Sequence, residues 1–330
     1  MFLQDFRMLK DVNFQNCEFL TCVPDVSSAP HLERLELSEC KSLVEVHQSV
    51  GCLEKLEVLD LNGCTNLSIF PSALKTKSLH ELNLDGCRKL KKFPDILAKI
   101  EHLRWLRLEG TAIEELPPSI DNLVSVVGIF LTGCENLVTL PSSIYKLQDL
   151  KLLTLTDCSK FAIFPMNLEE STDPHGSLGF PSLTVLELKG CNQLDLEFLK
   201  DSSRFPRLWR LDLSLIKFAH KPTDISKCDN LTFLSFSGCE QLQEIPQLPP
   251  KIRHIEANYC RSLTKLPNFS SLSNFDSVYF ASCPRLLREE FSLPGVSILE
   301  ICMTVFPEDE EYNRPHSPNW RKDAGMDSPL

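Results

Sequence analysis

One short frame, apolar-x-apolar-x-x-Cys, recurs along the whole chain and limits what it can fold into. Ten of the fourteen cysteines occupy it: Cys17, Cys40, Cys64, Cys87, Cys134, Cys158, Cys191, Cys239, Cys260 and Cys283. Two gaps of double length carry the same frame with Thr111 and Ile216 in the cysteine slot. Twelve units result, 21 to 25 residues apart except for one interval of 33. A unit this short cannot bury its own apolar face. It buries that face against the next unit, so the chain grows along one axis as a solenoid.

Leu56-Glu57-Val58-Leu59-Asp60-Leu61-Asn62-Gly63-Cys64-Thr65-Asn66-Leu67 represents the set. It follows the leucine-rich-repeat pattern L-x-x-L-x-L-x-x-N/C-x-L. Leu59 and Leu61 alternate with Val58, Asp60 and Asn62, the period of a strand with leucines inward and the intervening residues outward. A proline follows seven residues after the cysteine in most units: Pro24, Pro71, Pro94, Pro141, Pro165, Pro246 and Pro267. Lacking an N–H, it suits a side of the coil that is not a hydrogen-bonded strand. The expected fold is an α/β solenoid. It is a leucine-rich-repeat horseshoe of about twelve repeats with a concave parallel β-sheet and short helical or 3-10 segments on the convex side.

The same frame assigns the cysteines. At the corner after each strand, a small side chain that can hydrogen-bond buried backbone is needed, and cysteine takes that place here. A reduced, buried ladder is expected rather than disulfides, which need an oxidising compartment. Zinc-type Cys-x-x-Cys spacing is absent, and Cys17 with Cys22 makes a poor ligand pair. The off-frame Cys22, Cys52, Cys228 and Cys302 are read as incidental.

The solenoid is expected over residues 1–290. Leu9, Val12 and Phe14 already stand at repeat positions with no polar capping unit before them, so the bare first edge points to a longer protein or to a partner that covers it. The long interval holds an insertion of about nine residues within 167–180, rich in Pro, Gly, Ser and Asp, which reads as a surface loop or a loop that contacts a partner. Residues 291–306 suit a closing strand or the start of a further domain. Residues 307–330, with Glu308-Asp309-Glu310-Glu311 and several prolines, read as a disordered acidic tail.

Charge and motifs narrow the function. With 34 Lys and Arg against 45 Asp and Glu, the formal charge is −11. That balance argues against nucleic acid as partner. No apolar run has the roughly 18–20 residues of a membrane span. The N-terminus lacks the basic start and apolar stretch of a secretory signal, so a cytoplasmic or nuclear location is expected. No phosphate loop, dinucleotide fingerprint, zinc-protease or nucleophile-elbow motif is present, and no catalytic residue, cofactor or metal site is expected.

The outward strand positions are therefore the candidate protein-binding surface. They are Arg34, Glu36, Asp60, Glu81, Asn83, Asp85, Trp105, Arg107, Glu109, Phe130, Glu187, Lys189, Arg210, Asp212, Phe233, His254, Glu256 and Tyr279. Acids outnumber bases among them, which favours a basic protein partner through steering. Trp105 and Phe130 fall in neighbouring units and are expected side by side, with Phe233 and Tyr279 as further aromatics outside the core. Outward aromatics and arginine dominate interface energetics; the plainer reading is that such a ring only covers its neighbour's strand.

Gly110-Thr111-Ala112-Ile113-Glu114-Glu115-Leu116-Pro117-Pro118-Ser119-Ile120 and Leu137-Val138-Thr139-Leu140-Pro141-Ser142-Ser143-Ile144 resemble phrases of plant disease-resistance receptors. Cys17-Glu18-Phe19-Leu20-Thr21-Cys22-Val23-Pro24 is similar to opening repeats of that group. Over roughly residues 5–290 the chain resembles the leucine-rich-repeat region of a TIR-type nucleotide-binding receptor, the class of tobacco mosaic virus resistance protein N. The resemblance implies a non-enzymatic module of innate immunity. Its partners would be a pathogen effector or modified host protein, together with the nucleotide-binding and TIR modules of the same or a related receptor, which the repeats restrain. Nucleotide binding and NAD cleavage do not carry over, because the residues for them are not in this sequence. Two other readings stay open: a cytosolic repeat scaffold for a signalling protein such as a small GTPase, and a cell-surface ectodomain, to which the sequons at Asn66, Asn230 and Asn268 point.

Overall fold

In every unit the alternation becomes a strand of three residues. Twelve such strands, from Asp11–Asn13 to Ser277–Tyr279, pair in parallel and in chain order as one sheet. The computed structural model describes residues 6–165, 179–192, 194–217, 225–267 and 276–286. The expected insertion up to residue 178, the possible closing strand at 291–306 and the tail at 307–330 lie outside the described residues.

Register follows the leucines. Leu35, Leu59, Leu82 and Leu106 align across four successive strands, and Ile129, Leu153, Leu186 and Leu211 continue the row. Each is essentially inaccessible, as are Leu37, Leu61, Leu84 and Leu108 two residues on. The core is thus one continuous column shared between neighbours. Removing a unit would expose its neighbours' leucines as well as its own, at roughly 1.5–3 kcal/mol per side chain.

The corners are built from two devices. First, the residue before each of the twelve corner positions has φ between 57° and 75°. Glycine fills half of these places, as at Gly63 and Gly86, because the left-handed region costs it nothing. Second, nine corner thiols donate to the preceding unit. Cys64 Sγ lies 3.1 Å from the Leu37 carbonyl, Cys158 Sγ 3.1 Å from Leu131 and Cys283 Sγ 3.0 Å from Ala257. Each accepting carbonyl belongs to the inward residue that directly follows a strand, and seven of the nine, Leu61 and Leu131 among them, also take the amide of their own unit's corner. All described cysteines are reduced, and of the four off-frame ones Cys22 and Cys52 are exposed while Cys228 is buried.

The convex side carries the short 3-10 segments expected of it. Its described helical segments are all 3-10: Gln48–Cys52, Pro118–Asn122, Ser142–Lys146, Leu196–Lys200 and Ser202–Arg204. Units of 23 or 24 residues leave too little chain for a longer α-helix. The proline side also carries some strand pairing: Cys22–Val23 pairs with Glu45–Val46, and isolated bridges join Glu45 to Ile69 and Thr139 to Ile163. Ile69 and Ile163 each sit two residues ahead of a proline, so the missing N–H falls just outside the bridge.

The long interval is closed by aromatic packing. Phe164, the last buried residue before the gap, stacks 4.2 Å from Phe198. Phe180, the first buried bulky residue after it, meets Tyr145 at 4.8 Å and Phe205 at 5.8 Å. Gly179 permits this closure, since a Cβ there would lie 2.3 Å from the Arg204 Cα. At the other end, Met8 is 84% and Phe19 93% exposed beside the first strand.

Candidate functional site on the concave sheet

The first and third residues of each strand face the hollow of the solenoid, and the turn after the strand adds one more outward position. All the sequence-nominated positions fall on these places, Asp85, Glu109 and Lys189 in the turns. Parallel register sets their neighbours: Glu36 beside Asp60, Asp60 beside Asn83, Asn83 beside Arg107, and Arg107 beside Phe130. Strands lie about 4.8 Å apart, so adjacent side chains interact directly.

The first five strands carry the acidic part. Arg34 is held by Glu36 at 2.7 Å and by Asp11 at 3.9 Å. Arg107 reaches Asp85 at 3.9 Å. Asp85 also accepts the Glu109 amide at 2.8 Å. Burial pushes the Asp85 carboxyl up to about 6; the Glu109 amide bond opposes the rise and the Glu109 charge adds to it. Burial likewise raises Asp60, and it raises Glu81 with help from the Asp60 charge. Acids outnumber arginines here, and burial first, with neighbouring carboxylates adding to it, makes Asp60, Glu81 and Asp85 resist ionisation.

An apolar shelf begins at Trp105. Its indole lies over Gly128 on the next strand, where an added Cβ would sit 2.6 Å from two ring atoms. The ring meets Phe130 at 5.9 Å between centroids, diagonally, because Trp105 is in register with Gly128 and Phe130 with Arg107. Phe130, Leu152 and Val185 form a cluster separate from the main core, flanked by the half-buried Trp105 and Trp209. Arg107 lies 5.7 Å over the Phe130 ring.

The last strands are more polar. Arg210 stacks 3.7 Å over Phe233 and approaches Glu187 at 3.7 Å. Ser214 and Ser235 share a hydrogen bond of 2.8 Å. His254 Nδ1 lies 2.6 Å from the Ser277 hydroxyl, and its Nε2 is 3.6 Å from Asp276. Burial raises the Glu256 carboxyl, and the Asp212 charge adds to the rise.

Two expectations need correction. Phe130 and Phe233 lie outside the main core but are only 9% and 7% exposed, and Arg210 is 6% exposed. The concave curvature draws the outward side chains together, so the middle of the face covers itself; Trp105 and Tyr279 remain accessible. Leu152, Val185, Trp209 and Gly128 were not nominated from sequence. The signal was there for Leu152 and Val185, which are apolar residues in outward slots of the strand frame.

Among the described residues no three His, Cys, Asp or Glu side chains cluster as a metal site, and no helix is long and apolar enough to cross a membrane. The sequons bear on placement. Asn66 donates its side-chain amide to the Lys41 carbonyl at 2.8 Å, and Asn230 donates to Pro206 at 2.7 Å. The nitrogens that a glycan would occupy are hydrogen-bonded to the preceding unit.

A family model described as the leucine-rich repeats of RPS4B-like disease resistance proteins matches residues 75–289. The chain belongs to this family. It is 31% identical over 80 residues to TMV resistance protein N of Nicotiana glutinosa, covering 24% of this chain and 7% of that protein. It is 29% identical over 140 residues to disease resistance protein RPS4B of Arabidopsis thaliana, covering 41% of this chain and 11% of that one. The matched segments thus span about a tenth or less of these relatives. Among solved structures, the leucine-rich-repeat protein LIC12759 of Leptospira interrogans superposes with a TM-score of 0.52 at 24% identity, over 80% of this chain and 70% of that one. That likeness concerns the fold alone.

Proposed function

We propose that this chain is a non-enzymatic recognition module of plant innate immunity. Its concave face senses a pathogen effector or a modified host protein, and the module restrains a nucleotide-binding receptor module in the cytoplasm or nucleus. The observation that carries this reading is the concave sheet, which sets an acidic surface beside the partly accessible indole of Trp105. An accessible aromatic ring on a sheet face points to a partner. The acidic surplus favours a basic protein, by raising the association rate more than the final affinity. The family supplies the context of disease resistance.

The test is pairwise binding of the full chain against a panel of effectors and host defence proteins in leaf extract, with two variants. Glu36→Lys/Asp60→Lys/Glu81→Lys reverses the concave charge; Lys91→Glu/Lys92→Glu changes the convex side. A partner lost by the first variant and kept by the second supports the reading. Partners indifferent to the first variant overturn it. For restraint, co-expression of the chain with a resistance-receptor nucleotide-binding module is expected to lower that module's cell-death response.

A further inference from the structure

The boundary between the acidic surface and the apolar shelf has its own geometry. Glu81 and Trp105 occupy equivalent positions on adjacent strands, Glu81–Asn83 and Trp105–Arg107. The indole leans the other way, onto Gly128, whose missing side chain gives it room: a Cβ there would stand 2.6 Å from the ring. Glu81 is exposed, and Asp60, diagonal to it on the preceding strand where Glu81 is in register with Val58, is half-buried. The two arginines of this surface make their close contacts with other groups, Arg34 with Glu36 at 2.7 Å and Arg107 with Asp85 at 3.9 Å and over Phe130 at 5.7 Å, and reach Glu81 only through longer-range charge. A notch is left with two carboxylates on one side, an aromatic ring on the other, and no cation of the chain paired to Glu81 among the described residues.

We infer that this notch seats one lysine or arginine side chain of a protein partner. The partner's flanking apolar residues then lie against the half-buried indole of Trp105. The chemistry is complementary on both sides. A cation beside Glu81 and Asp60 relieves the crowding of like charges, and the indole attracts the same cation through its ring quadrupole. An arginine stem also packs apolar surface against an indole while its head stays with the carboxylates. A cation on an exposed aromatic is a weak contact, but one that is desolvated against both a ring and an acid is stronger. The partner segment is therefore basic followed by apolar. This deepens the concave-face reading above and rests on it.

The experiment uses the full chain and three synthetic peptides of equal length, carrying Arg-Arg-Leu-Phe, Glu-Glu-Leu-Phe or Arg-Arg-Ser-Gly. Binding is followed by calorimetry at low and high salt. The first peptide is expected to bind at least tenfold more tightly than either other. Glu81→Gln and Trp105→Leu are each expected to weaken it by about tenfold, which corresponds to about 1.4 kcal/mol. Equal binding of the basic and acidic peptides, or unchanged binding to both variants, overturns the notch. Circular dichroism checks that the variants keep the fold. Failure of the broader reading looks different. If a protein partner found in the leaf panel is lost with the triple charge reversal yet kept by Trp105→Leu and Glu81→Gln, the concave face is the interface and the notch is not its anchor.

Discussion

The Leu108 carbonyl accepts two side-chain hydrogen bonds, from Thr111 Oγ1 at 2.9 Å in its own unit and from Cys134 Sγ at 3.1 Å in the next. At the other cysteine corners the corresponding carbonyl has a single side-chain donor, a thiol, as Leu131 has Cys158 at 3.1 Å. Thr111 is thus a substitute for cysteine that turns back within its own unit. It also lies 3.3 Å from Cys134, so the two corners touch.

This difference sets an order of stabilities. In Cys158→Ala, Leu131 keeps only the backbone amide of Cys134, at 3.0 Å. In Cys134→Ala, Leu108 keeps the Thr111 hydroxyl as well. Cys158→Ala is expected to cost about 1–2 kcal/mol and Cys134→Ala less, by about half a kilocalorie or more. Urea titrations followed by far-ultraviolet circular dichroism, compared through their midpoints, check the order. An inverted order would mean that methylene packing rather than the hydrogen bond decides.

The corner thiols should also be chemically silent. Burial pushes Cys64, Cys191 and Cys239 up to about 12 and Cys134 up to about 11. Only the thiolate reacts. Iodoacetamide at pH 8 on the native chain is therefore expected to label the exposed Cys22 and Cys52 and to leave these four untouched until the chain unfolds. Mass spectrometry of tryptic peptides reads this out.

The same shifts fix the sign of the alkaline response. A buried corner thiol stays protonated in the folded chain up to about 12, whereas the unfolded chain ionises near the ordinary value of 9.0. Their contribution is complete below pH 9 and is lost as pH rises from there toward 12. Melting temperatures in reducing buffer should fall steeply between pH 9 and pH 10.5. A flat profile would contradict the ladder.

Asp85 works in the opposite pH range. Its folded carboxyl titrates near 6 against an ordinary 3.8, so the ionised form is disfavoured by folding. Its stability contribution is present below about pH 4 and is lost as pH rises through 6. Asp85→Asn keeps an oxygen for the Glu109 amide and removes the charge. At pH 7 it is expected to stabilise the chain by about 1–3 kcal/mol, with the gain vanishing at pH 4. Denaturant midpoints at the two pH values test this. It would also show that the native acid is retained at a cost in stability, as a binding surface requires.

The twelve units, their strands and their leucine column were legible because both periods are written in side-chain type: two within the strand and about 24 along the chain. The acid-rich outward face followed from the same frame. The left-handed corner residues were only half legible. Gly63 and Gly86 announce the geometry, but Leu215 and Tyr259 adopt φ of 60° and 61° with side chains that do not favour it. There the position dictates the backbone, and the stacked neighbours offset a local cost of about 1–2 kcal/mol. Burial on the concave face was not legible either. Alternation says which way Phe130 and Phe233 point, while the curvature that closes Arg210 over Phe233 is a property of the assembled stack.

Gly128 is where that curvature and the shelf depend on one atom. Its backbone is not in the left-handed region, so an alanine can adopt the main-chain conformation. The added methyl, however, would meet Trp105 at 2.6 Å. Because the indole lies at the solvent face, it can swing away instead of straining the strand. Gly128→Ala is therefore expected to cost only about 1–2 kcal/mol, within the range for modest overpacking. The indole would move toward Glu81 and into water, shifting its emission to longer wavelength. The difference spectrum against Trp105→Phe isolates this ring from Trp209 and Trp320. The same variant should weaken the Arg-Arg-Leu-Phe peptide, because the displaced ring fills the notch. An unchanged emission maximum with intact binding would show that the contact between Gly128 and Trp105 does not shape the site.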